Sequence, residues 1–154
     1  MNSGRWVAIA IVGLTALFGL ALWYTQTRAY YDPLTLTELG LAGADGQAIT
    51  LALEDFSGID ADTSPLRFRA CFRLVDAEVS TLIARAVPHP DATPLIAPDW
   101  FDCYDGAQIG ADLENGTATA LTGQVEIARG VDRVVAIYPD GRGFAWHQLN
   151  GTLE

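Results

Sequence analysis

Arg67, Arg69, Cys71 and Arg73 stand an even number of positions apart within residues 66–74. Successive side chains on a β-strand point to opposite faces, so the run predicts Leu66, Phe68, Ala70, Phe72 and Leu74 on a core face and these four residues on the other. A guanidinium keeps its charge at any physiological pH and presents a planar fork of donors that fits carboxylate or phosphate. Such a strip is an anion pocket if its donors stay unpaired, and an ion-pair scaffold if they do not. A scaffold has its partners downstream, where Asp99, Asp102 and Asp105 surround Cys103. A Cys71–Cys103 disulfide would hold two Cα atoms within about 7 Å. The acidic segment would then lie over or beside the arginine face. Paired charges are more often scaffold than site, so the scaffold reading leads and the anion pocket is its alternative.

Other chemistry is thinner. Asp99, Asp102 and Asp105, or the loop acids Asp55, Asp60 and Asp62, offer hard oxygen ligands, yet neither group has the alternation and glycine of a calcium-binding EF-hand loop, and no metal is expected. His89 stands between prolines, and His147 follows Trp146 on a predicted strand. His147 is a candidate base or ligand, but no G-x-S-x-G element accompanies it. The sequence has no H-E-x-x-H, P-loop, dinucleotide fingerprint or C-x-x-C-H pattern. No catalytic residue or cofactor is assigned, and an enzyme is the less favoured class.

Cys71 and Cys103 are the only cysteines. An even count in an exported domain reads as one disulfide, whereas metal-binding and redox pairs favour close spacing such as C-x-x-C. Closing a loop of about 33 residues contributes roughly 3 to 4 kcal/mol in the chain-entropy model.

The element that decides where this chemistry takes place is residues 6–24, WVAIAIVGLTALFGLALWY, which carry no formal charge. As a helix they span about 28 Å, close to the hydrocarbon thickness of a bilayer. Trp6 at one end, and Trp23 with Tyr24 at the other, occupy membrane-interface positions. A cleaved signal peptide would end in small residues, but here bulky aromatics follow Leu22. The reading is therefore an uncleaved anchor with a cytoplasmic tail at 1–5, a connector at 25–33 and a periplasmic domain at 34–154. Arg5 in a tail without acids favours the N-in orientation in a bacterial inner membrane. All 19 acids and 7 of the 9 basic residues lie beyond residue 28, so that part carries 7 minus 19, or −12. Such a charge repels nucleic acid and favours cations or a basic periplasmic protein.

Within the domain, residues 34–39 and 49–53 alternate like a hairpin about the turn 43–46, and 54–64 read as an acidic loop. After the arginine run, Asp76 suits the N-cap of a helix of about ten residues that carries Val79, Leu82, Ile83 and Ala86 and stops before Pro88. Pro90, Pro94 and Pro98 keep the next stretch irregular. Asp105 caps a second helix to Glu114, with Ile109 and Leu113 inward and Asn115-Gly116 as its stop. Strands follow at 117–128, 131–138 and 144–149, the last two joined by a turn at Tyr138-Pro139-Asp140-Gly141. Unbroken apolarity at 134–137 predicts a central strand covered on both faces. The predicted fold class is α+β: an N-terminal transmembrane helix, then about six mainly antiparallel strands and two helices, with one disulfide.

The strings GIDADTSPLRFRACF (58–72), APDWFDCYD (97–105) and GVDRVVAIYPDGRGFAWHQLN (130–150) resemble a family of short bacterial, alphaproteobacterial-type, single-pass membrane proteins of unknown function. The resemblance implies the anchor and the outer domain, and it brings no activity or site residue. The leading functional expectation is a non-enzymatic accessory or assembly component of a larger inner-membrane complex. The alternative is an anion or small-ligand module using Arg67, Arg69 and Arg73 with Asp99, Asp102, Asp105 and His147. A hydrolase centred on His147 ranks last.

Overall fold

A computed structural model describes residues 3–75 and 78–153. The chain divides into two compact units, residues 1–31 and 32–154. The first is helix α1, Ser3–Thr27, whose mean hydropathy of 2.2 and 25 residues suit a membrane anchor or a signal sequence. It extends beyond the uncharged stretch at both ends, so residues 25–27 of the expected connector are helical. Thr15, Thr25 and Thr27 return their hydroxyl hydrogens to carbonyls of the preceding turn, which lowers the cost of placing them in an apolar medium.

The second unit contains strands β1 (Asp32–Leu34), β2 (Glu38–Ala42), β3 (Ala48–Asp60), β4 (Arg69–Leu74), β5 (Thr119–Ala128), β6 (Val131–Ile137) and β7 (Arg142–Leu149). Helix α2 is Val79–Arg85 and α3 is Gly106–Glu114. All strand pairs are antiparallel, in the order β1-β3-β4-β7-β6-β5, with β2 also on β3. Residues 85–89 join β2 to β5 at the far end of this order. Val87 donates to Ala42 at the end of β2, while Thr122 and His89 exchange bonds with Val87 and Ala120 at β5. The hydrogen-bonded neighbours thus form a closed ring, which leaves these strand edges covered.

The expected loop at 54–64 is instead mostly strand. β3 runs on to Asp60, and a register shift between Glu54 and Ser57, with Asp55 at φ 50°, bends it so that β2 pairs with its first half and β1 with its last residues. Asp, Ser and Gly are turn formers in isolation, but here they make a bulged strand. Gly58 fits because a Cβ would meet the Phe56 ring at 2.6 Å.

The ring's interior holds Leu39, Leu41, Leu51, Phe72, Leu121 and Val135, and Val79, Leu82 and Ile83 of α2 pack against this core. Asp76 lies outside the described residues. Glu78 occupies the N-cap, without a side-chain bond, and α2 has seven residues rather than about ten. α3 follows its sequence signals: Asp105 accepts from Gln108 N–H, Ile109 is buried and Gly116 adopts φ 78° after the Asn115 C-cap. β6 lies between β5 and β7 with Val134 through Ile137 fully buried, as the apolar run predicts. The turn at Tyr138 also forms, with Gly141 at φ 83° donating to the Tyr138 carbonyl.

The Cys71–Cys103 disulfide is present, with Cα atoms 6.2 Å apart. It ties β4 to the chain just before α3. Replacing both cysteines with serine is expected to lower unfolding free energy by about 3 kcal/mol, since the loop that is freed is long. Urea denaturation of the oxidised protein and the double variant measures this, and a shift near zero would contradict it.

Candidate functional site

The predicted arginine strip separates into three environments. Ser64 accepts from Leu66 N–H and starts a 3-10 turn at Pro65–Arg67, so the strand begins only at Arg69 and Arg67 lies outside it. Proline at the start of a tight turn fixes the backbone there and interrupts the alternation. Arg69 is buried, only 5% exposed, and its guanidinium serves carbonyls from two segments. Nη1 donates to Leu66 and Phe68 at 2.8 and 2.6 Å, Nε to Leu95 at 3.1 Å and Nη2 to Ile96 at 3.2 Å. Arg73 is exposed and donates to the Asp140 carbonyl at 3.2 Å. The face that carries Arg69 and Cys71 is therefore a second buried face of the sheet rather than an open strip.

The acidic segment does come to this face, through the disulfide. Asp99, Asp102 and Asp105 are exposed, while Phe101 and Tyr104 between them turn inward. Tyr104 packs edge-on against Phe144 and lies 5.9 Å from the Arg69 guanidinium. Burial pushes the Tyr104 phenol well above its ordinary value, with Arg69 opposing. Nearby, Tyr138 donates to Asp112 of α3 at 2.7 Å. Among the described residues no three His, Cys, Asp or Glu side chains converge as a metal site.

His147 is 4% exposed, on β7 opposite Arg133 of β6. Its Nδ1 lies 2.6 Å from the Pro65 carbonyl, which only accepts, so Nδ1 carries the hydrogen. Nε2 accepts from Arg133 Nε at 3.1 Å. The ring stacks on Phe68 at 4.5 Å, and the Arg133 guanidinium lies over the same phenyl group at 4.5 Å. Burial above all pushes His147 down to about 4; the Arg133 and Arg69 charges add to it, and the Pro65 carbonyl and Asp60 oppose it. The imidazole is thus neutral at pH 7 with both nitrogens engaged inside the fold. A general base needs a free nitrogen facing its substrate, and this arrangement leaves none.

A cleft of about 840 Å³ lies between residues 87–95 and the ends of β5, β6 and β7. Gln148 holds its edge: Oε1 accepts from Thr93 N–H and Trp146 Nε1, and Nε2 donates to the Asp91 carbonyl. Asp132, paired across the sheet with Gln148, is buried in its lining at 8% exposed. Asp132 Oδ1 accepts from Glu126 N–H and Asn150 Nδ2, both at 2.8 Å. Half-buried His89 is also in the lining, and its Nδ1 has no hydrogen-bond partner among the described residues. This cleft was missed by motif reasoning. Its sequence signal is weak: Asp132 and Gln148 are polar residues on largely apolar strands, but Arg133 and His147 share that property.

Two outcomes follow for these side chains. Arg69→Leu is expected to cost about 3 kcal/mol or more, because it leaves carbonyls of two segments unpaired in the interior. Arg69→Lys should recover little of this, since a single ammonium cannot reach the same set. Equal urea midpoints for wild type and Arg69→Leu would contradict both. For His147, the folded-state pKa of about 4 lies below the unfolded value near 6.5. Its contribution to stability is complete above pH 6.5 and is lost as pH falls towards 4, because only the unfolded chain takes up the proton in that window. His147→Gln should start less stable and show a shallower decline between these pH values; parallel pH profiles would refute the assignment.

No curated protein and no solved structure matches the chain. Residues 38–154, which span β2 to β7 and the disulfide, match the family of unknown function DUF6446, and the chain belongs to that family.

Proposed function

We propose that this chain is a non-enzymatic, membrane-anchored accessory or assembly component of a larger bacterial inner-membrane complex, with its α+β domain in the periplasm. One observation carries the reading: the side chains best suited to chemistry are used to hold the fold. His147 is bonded at both nitrogens, and Arg69 donates to carbonyls of the strand entry and of the proline-rich segment. A domain that uses these groups internally is better suited to present a shape and a charge than to turn over a substrate. The charge is the −12 borne beyond residue 28, which favours a basic surface on the partner. The apolar 25-residue helix, read as an uncleaved anchor with N-in topology, would place that surface beside other membrane proteins.

The anion-pocket reading of Arg67, Arg69 and Arg73 is the weaker alternative. Arg69, at the centre of the run, faces protein carbonyls, and a ligand would have to displace them.

A tagged full-length chain, crosslinked in cells and purified in mild detergent, should carry at least one integral membrane protein in fixed ratio. Exchanging residues 3–27 for an unrelated transmembrane helix should weaken that recovery. A chain that purifies alone after crosslinking would count against the proposal.

A further inference from the structure

The cleft beside residues 87–95 is independent of the partner role proposed above. We propose that it binds a small organic cation, with an ammonium or similar group on Asp132 and an apolar body against the walls. The volume of about 840 Å³ lies within the range of roughly 300 to 1,000 Å³ typical of small-molecule sites. Its walls are largely apolar, from Val87, Pro88, Leu95, Val125 and Leu149.

The charge of the ligand follows from Asp132. The residue is more than nine-tenths buried, and the hydrogen bonds it accepts, from Glu126 N–H and Asn150 Nδ2, both go to Oδ1. Oδ2 takes no hydrogen bond from the described residues. That oxygen is not sealed inside the protein, so a cation with N–H donors in this largely apolar cleft can give it a charge-assisted hydrogen bond, which is stronger than one from a neutral donor. Asp91 adds a second acid to the lining, which contains no arginine. An anionic ligand would meet two like charges there.

An organic cation fits better than a metal ion. Among the described residues no three His, Cys, Asp or Glu side chains converge, so a metal would lack a ligand set, whereas an ammonium needs one carboxylate and a surface for its carbon body. The site is also held open before binding. Residues 87–89 are hydrogen-bonded to β2 and β5, and Gln148 ties Asp91 and Thr93 to β7, so little ordering remains for the ligand to bring about.

Titration calorimetry of the full chain in lipid nanodiscs tests this with benzylammonium, benzyl alcohol and benzoate, each corrected against empty nanodiscs. Benzylammonium should bind saturably at one per chain, and the neutral and anionic compounds at least about tenfold more weakly, the loss of one charge-assisted hydrogen bond. Asp132→Asn keeps the Oδ1 acceptor and should weaken benzylammonium by a similar factor with the fold intact by circular dichroism. Leu149→Trp, at a half-exposed wall position, should block the cleft and abolish binding, and it decides the matter alone should Asp132→Asn fail to fold. Absence of saturable benzylammonium binding, benzoate binding as tightly, or indifference to Leu149→Trp would overturn the proposal.

Discussion

Arg69 solves a problem that four prolines create. Pro88, Pro90, Pro94 and Pro98 lie in the segment that covers one face of the sheet. Each lacks a backbone donor and resists regular structure, so this cover cannot hold itself in place through a helix or strand ladder. Its carbonyls nevertheless sit against a buried face and need partners. Arg69 reaches up from β4 to Leu95 and Ile96, Gln148 reaches from β7 to Asp91 and Thr93, and the disulfide fixes the far end at Cys103. Strand side chains thus supply the hydrogen bonds that backbone supplies elsewhere, and an arginine is suited to this because one planar group can serve several carbonyls at once.

The same segment completes the ring on its other side. Residues 85–89 are interrupted by Pro88 and form no strand of their own, yet they offer just enough donors and acceptors to join β2 to β5. The interior is then enclosed by strands all round and closed against α2. A fold organised in this way buries both faces at β4, β6 and β7, which explains why these strands combine fully apolar runs with isolated polar residues. Arg69, Asp132, His147 and Gln148 are all buried, and each engages neighbouring backbone or side chains.

Local signals gave the parts of this arrangement that depend on near neighbours. The Asp105 cap, the Asn115-Gly116 stop, the Gly43–Gly46 and Tyr138–Gly141 turns and the apolar run of β6 all depend on a few consecutive residues, and all of them appear where the sequence places them. The disulfide was also legible, because only two cysteines exist. What could not be read was whether a face would be covered. Alternation over 66–74 separates two faces but does not tell an exposed polar face from one on which a distant segment will settle, and Ser64-Pro65 delays the start of the strand by a turn that alternation conceals. The acidic loop was misread for a related reason: the bulge that lets β3 continue through Asp55 is stabilised by pairing with β4, some fifteen residues away.

The cleft was the least legible feature because it is a gap, and it arises from the same prolines. A strand laid along β5 would have packed flush against its neighbours. The proline-rich cover instead touches the sheet at points, through Val87 and His89 at one end and the Arg69 and Gln148 bonds farther on. Between those points it stands away from the ends of β5, β6 and β7, and Asp132 is left in the space beneath it. A buried acid with half of its hydrogen-bonding capacity unused is a poor choice for a strand that needs only packing. In a domain that commits Arg69 and His147 to internal bonds, Asp132 keeps one oxygen that no described residue engages, and it gives the cleft a charge that its apolar walls lack.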